Sequence, residues 1–304
     1  MENLDVNKYI DLAKSYLPSF GFYFDKLNIG EVLFVTLIQL ALVLGPLILV
    51  SLFTNIVSMG VEKRIIQLLG RKVYIYVLGW IGTPLHEVGH ALMCLLFNHR
   101  ISAMKVFGQD KITGALGYVK HSWNKMSVYQ RVGNFFIAIG PLIMGGVIIS
   151  ILAIFICPMC NISVSADALG SISTVSDIPV AILVWFKSLA LMVWQFFVNF
   201  DVRDYKAWIF VYILLAVGSH INLSVADLKS ARAGLIAVSS ILLLYNVLKV
   251  VFTDIPLKLT ILPEEYMALM AAVIFISGVL LLPIWIILEA ASLVFGKRGK
   301  IIKI

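Results

Sequence analysis

Long apolar stretches follow one another through this chain, near residues 31–57, 73–98, 134–157, 180–200, 207–222, 234–252 and 267–295. A helix needs about 20 apolar residues to cross a bilayer, and most of these stretches reach that length. Of the 304 residues, 61% are hydrophobic and 13% charged, with a mean hydropathy of +0.97. Soluble domains hold roughly 45–50% apolar and 25% charged residues. A soluble enzyme is therefore excluded, as are disordered, collagenous and coiled-coil chains. A span plus its connection takes roughly 30–40 residues. The expected fold is an all-α polytopic membrane protein of about six to eight segments, a single integral-membrane domain over 1–304.

The net charge of +7 has a membrane explanation, because basic residues flanking apolar spans hold loops on the cytoplasmic side. No basic stripe with interleaved aromatics indicates nucleic acid. Three cysteines give no disulfide scaffold, and Cys157-Pro158-Met159-Cys160 is a lone C-x-x-C. The first apolar stretch is much longer than a signal-peptide core and reads as a retained spanning helix. The sizeable polar insertion is 99–133. Within it, Ile101 to Phe107 and Gly114 to Trp123 are short and β-favouring, and Gly108, Gln109, Asp110 and Lys111 between them are turn formers. This predicts a β-hairpin lodged between two membrane helices.

Basic residues crowd both 58–72 (Lys63, Arg64, Arg71, Lys72) and 99–133 (Arg100, Lys105, Lys111, Lys120, Lys125, Arg131). If both segments are cytoplasmic, 73–98 enters the membrane without crossing it. Gly82-Thr83-Pro84 would supply the break, with Thr83 capping a new helix that has Pro in its first turn.

That same stretch contains His86-Glu87-Val88-Gly89-His90. Residues i and i+4 share one helix face, so the two imidazoles can grip a single tetrahedral zinc ion. Glu87 lies where a carboxylate can take a proton from zinc-activated water, the arrangement of the zincin motif. Three ionisable groups in an apolar run would each cost roughly 2.5 kcal/mol or more in hydrocarbon. A metal and a wet pocket remove that cost. Gly89 leaves room between the ligands for a backbone to approach.

A catalytic zinc needs a third protein ligand. Asp227 follows a polar patch, Ser219 to Ala226, that separates two apolar segments. Its rival reading is a capping box, Ser224-Val225-Ala226-Asp227. His220, Glu289 in the last apolar run, and Asp110 in the insertion are the other candidates. Cys94 continues the 86–90 face but reads as a buried core thiol. Asn134 and Gly140-Pro141 read as helix-packing and kink residues.

The sequence resembles the site-2 proteases, intramembrane zinc metalloproteases, in its bacterial branch. The resemblance rests on His86-Glu87-Val88-Gly89-His90 in an apolar helix, the β-structured insertion, the Asn134…Gly140-Pro141 helix, and Ser219 to Lys229 in the pattern Ser-His-x-x-Leu-Ser-x-x-Asp-x-Lys. It covers roughly 73–233, a catalytic core containing the 99–133 hairpin. It implies one zinc per chain on His86, His90 and Asp227, with Glu87 activating water. It also implies a membrane-anchored protein substrate laid on the hairpin as an added strand, and residence in a bacterial inner membrane. The second motif departs from the common Leu-Asp-Gly form, which keeps His220 open. The rival readings are a membrane metal-ion transporter, a non-catalytic adaptor for transmembrane helices, and a prenyl-protein type of membrane zincin with Glu289 as third ligand.

Overall fold

A computed structural model describes residues 28–110, 114–156, 178–221, 225–252 and 264–295. Along them run α1 (Ile29–Leu68), α2 (Arg71–Tyr74), a π-helical turn (Ile75–Gly79) and α3 (Trp80–Leu96). Strands β1 (Arg100–Lys105) and β2 (Tyr118–Ser122) follow, then α4 (Val128–Ile156), α5 (Ile178–Asn199), α6 (Tyr205–Gly218), α7 (Val225–Phe252) and α8 (Glu264–Phe295). The segments Ile29–Leu68, Val128–Ala153, Lys229–Phe252 and Ala271–Phe295 are each long and apolar enough to cross a membrane. The protein is a largely helical, multi-pass membrane protein with a small antiparallel hairpin. The C-x-x-C at 157–160, Ser224, Lys111 and the terminal 1–27 and 296–304 lie outside the described residues.

The helix ends follow from local chemistry. Asn28 caps α1 by accepting from the Glu31 amide at 3.3 Å. Gly70 ends it in a left-handed conformation, φ 93°, with its N–H bonded back to the Ile65 and Ile66 carbonyls. Asp204 caps α6 through the Lys206 amide at 2.9 Å. Helix α8 runs through the interior, with Ala271 to Ile274 and Ile276 buried, and packs most closely on α1. Leu142 and Ile149 of α4, Phe196 of α5 and Phe210 and Leu214 of α6 fill the same core.

Helix α3 is held against α4 and α6 at two glycines. A Cβ on Gly89 would lie 2.8 Å from the Gly140 carbonyl oxygen and from Pro141. A Cβ on Gly82 would lie 2.2 Å from the Ala216 carbonyl oxygen and 2.3 Å from the His220 ring. Small residues let helix backbones touch where dispersion and polar contacts, not water exclusion, drive packing. The expected break at Gly82-Thr83-Pro84 is absent, since α3 runs unbroken through Pro84. The irregularity lies one turn earlier, in the π-helical turn. Pro84 has no N–H for the Trp80 carbonyl and its ring crowds that oxygen. A widened turn just ahead of Trp80 absorbs the misfit that a break would otherwise relieve.

The hairpin pairs Arg100 with Ser122 through Lys105 with Tyr118, with an irregularity between Ile101 and Ala103. It lies along α3. Its base sits at the end of α3, where buried His99 meets His121 at 3.0 Å, Nδ1 to Nδ1. At the other end Arg71 donates to the Gly114 carbonyl. The His99 Nε2–H donates to the Gln130 carbonyl at 2.7 Å, so its Nδ1 accepts from His121. Burial holds both imidazoles below the ordinary histidine range.

Two predictions follow from these contacts. Gly89→Ala should separate α3 from α4 and lower stability by about 1–3 kcal/mol, read as a fall in the thermal midpoint in detergent. For the histidine pair, the unfolded chain binds more protons than the folded one near pH 6. Their stabilisation is therefore present above about pH 6.5 and lost as the pH falls below it. Hydrogen exchange of the β2 amides should accelerate on acidification, and His121→Gln should diminish that step, leaving the part due to His99.

Candidate metal centre

Helix α3 carries His86, Glu87 and His90 on one stripe, as the i, i+1, i+4 spacing requires. Each histidine is oriented through Nδ1 by a backbone carbonyl that has lost its helical partner. His90 Nδ1 donates to the Ile137 oxygen at 2.7 Å. Ile137 lies four residues before Pro141, which has no N–H to offer it. His86 Nδ1 donates to the His220 oxygen at 2.5 Å, and His220 lies just past the end of α6, where carbonyls lack intrahelical donors. With both Nδ1 atoms protonated, the neutral rings carry lone pairs on both Nε2 atoms. They face each other at 3.1 Å.

The Asp227 carboxylate, in the first turn of α7, completes the group. Its Oδ1 lies 3.4 Å from His90 Nε2, and the donor atoms of His86, His90 and Asp227 all fall within 4.8 Å of one another. Donors at tetrahedral angles on zinc would stand roughly 3.3 Å apart. Electron-pair donors that face each other repel unless a cation lies among them. The donor set therefore fits a divalent metal, and this buried cluster resembles a metal-binding site in a membrane protein.

Glu87 is 7% exposed, and among the described residues no group hydrogen-bonds its carboxylate. The hairpin reaches it directly. A Cβ on Gly117, at the entry to β2, would lie 2.6 Å from Glu87 Cγ. Only glycine lets that strand lie flat on the carboxylate.

The other sequence candidates are placed elsewhere. The His220 ring turns away toward Tyr74, with Nε2 3.3 Å from its hydroxyl and the rings 5.8 Å apart and stacked. His220 instead serves the site through its carbonyl. Glu289 is held in a two-point pair with Arg64 of α1. Asp110 lies in the hairpin connection, its backbone bonded to Ala115 and Gly114. The Cys94 side chain is fully buried. Asn134 is buried, with its Nδ2 bonded to the Gln130 and Arg131 carbonyls of its own helix at 3.4 Å. Sequence reasoning missed Ile137, Gly117 and Tyr74. The available signal was Pro141 itself, whose position names the carbonyl it frees.

No protein-family profile, curated protein or solved structure matches the chain.

Pro141→Ala supplies an amide that draws the Ile137 carbonyl back into its helix. Loss of a ligand's outer partner typically weakens metal affinity 10–100-fold. The expected loss here is about tenfold, since the carbonyl keeps a second lone pair, and competition against a chromogenic chelator measures it.

Proposed function

We propose that this chain is an intramembrane zinc metalloprotease of the site-2-protease kind, cutting a peptide bond of a membrane-anchored protein within or next to the bilayer. The observation that supports this best is the convergence of His86, His90 and Asp227 on one point inside an apolar bundle, beside Glu87, whose carboxylate has no hydrogen-bond partner among the described residues. Zinc, one per chain on those three residues, would supply Lewis acidity that lowers the pKa of water and polarises a carbonyl. Glu87 would accept the proton of the attacking water and return it to the leaving amine. Burial by the hairpin and α3 would keep bulk water from the reacting groups.

The hairpin suits a substrate in extended form. A transmembrane helix hides its amides in its own hydrogen bonds, so a protease must unwind it, and a strand edge offers those amides new partners. The reading includes a bundle of six to eight membrane segments, in which 73–98 enters without crossing, placed in a bacterial inner membrane. A metal-ion transporter needs successive ligand sets along a path. Among the described residues, His86, His90 and Asp227 form the one group of three or more such side chains. A non-catalytic adaptor would have no use for the Glu87 carboxylate.

The test uses the purified full chain in detergent with fluorescein-labelled casein, an unstructured protein, as substrate. Wild type should hold one zinc and release labelled fragments. Glu87→Gln should keep zinc and lose cleavage by several orders of magnitude. Asp227→Ala should lose zinc, whereas Glu289→Ala should keep it. Cleavage by Glu87→Gln at the wild-type rate would overturn the mechanism.

A further inference from the structure

Thr83 is 5% exposed, and its Oγ1 has no hydrogen-bond partner among the described residues. A buried hydroxyl without a partner costs about 1–3 kcal/mol. A helical threonine normally escapes that cost by bonding back to the carbonyl four residues earlier, here Gly79. Thr83 does not, and it caps no helix.

Its position gives the orphaned hydroxyl a direction. At about 100° per residue, Thr83 lies between His86 and Glu87 around the α3 axis, and His90 continues the same stripe. Gly82 and Gly89 lie to one side, against α6 and α4. Thr83 Oγ1 is 3.9 Å from where a Gly79 Cβ would be, and Leu116 Cδ1 is 3.3 Å from that same point. Leu116 thus lies over the stripe at Gly79, one turn before Thr83, and Gly117 lies over it at Glu87, one turn after. A peptide that reaches Glu87 must displace this segment, and the same displacement uncovers Thr83 one turn away.

We infer that Thr83 is a substrate-binding residue, its Oγ1–H donating to a backbone carbonyl of the extended peptide lying along α3. This deepens the protease reading and rests on it. One helical turn is about 5.4 Å and an extended residue about 3.3 Å, so the carbonyl belongs to a peptide group one or two residues from the bond that is cut. An unwound segment in an apolar site has carbonyls in need of donors, and the metal cluster and Glu87 serve the scissile bond alone.

The experiment compares wild type, Thr83→Val and Thr83→Ser as full chains in detergent. Thr83→Val keeps shape and removes the hydroxyl. It should retain zinc and leave the thermal midpoint unchanged or raised, because the lost group had no partner. Binding of labelled casein, followed by anisotropy in the Glu87→Gln background, should weaken about tenfold, the worth of one hydrogen bond. Cleavage should fall by a similar factor in kcat/KM, and Thr83→Ser should restore both. A lowered thermal midpoint in Thr83→Val would assign the hydroxyl to the fold and overturn the inference, as would unchanged casein binding. Undiminished cleavage by Glu87→Gln would sink the protease mechanism instead, while the midpoint and anisotropy results would still judge Thr83.

Discussion

Two backbone carbonyls without helical donors set the chemistry of this molecule. The Ile137 oxygen is freed by Pro141 and the His220 oxygen by the end of α6, and each fixes one imidazole through Nδ1. Proton placement in the neutral rings then follows. With Nδ1 committed to donation, Nε2 becomes the acceptor in both rings, and two acceptors are left facing across 3.1 Å. A backbone carbonyl suits this task inside an apolar bundle. It orients the ring as a carboxylate would, without adding another charge whose burial would need compensation.

That arrangement depends on close backbone approach. His90 reaches the Ile137 oxygen because Gly89 lies against Gly140 and Pro141, and His86 reaches the His220 oxygen because Gly82 lies against Ala216. Side chains at either glycine would move the acceptors beyond hydrogen-bond range. The glycine contacts and the ligand geometry are therefore one constraint expressed at two levels. The His220 ring takes part from the far side. It is stacked on Tyr74, which packs in one apolar cluster with Val61 and Ile65 of α1, so the carbonyl that positions His86 is braced by a third element.

Much of this was legible in the sequence because it depends on short-range periodicity. The 86–90 spacing fixes a shared helix face wherever the helix sits. The β-favouring runs flanking Gly108 to Asp110 gave the hairpin, with strands shorter than the runs because Val106 and Phe107 and residues 114–117 belong to its connection. Asp227 was one of several acidic candidates, and only packing brings it to His90, across a gap of more than a hundred residues. Pro141 read as a kink residue, yet its consequence is the orphaned carbonyl opposite His90, which no local pattern shows. Thr83-Pro84 misled for a physical reason. Proline in a helix can be accommodated by a widened preceding turn as well as by a break, and the choice is made by α4 and α6 holding α3 straight.

The buried orphan atoms separate fold from site. Asn246 Oδ1 and Thr83 Oγ1 both lack partners among the described residues. Asn246, however, spends its amide on Thr36 and Gln39 of α1, at 2.9 and 2.6 Å, so the residue ties α7 to α1 whatever its oxygen does. Thr83 has a single polar group and nothing to tie. A valine would fill the same space without the desolvation penalty. Its hydroxyl therefore ties together no two elements of the fold described, and it stands on the stripe of His86, Glu87 and His90.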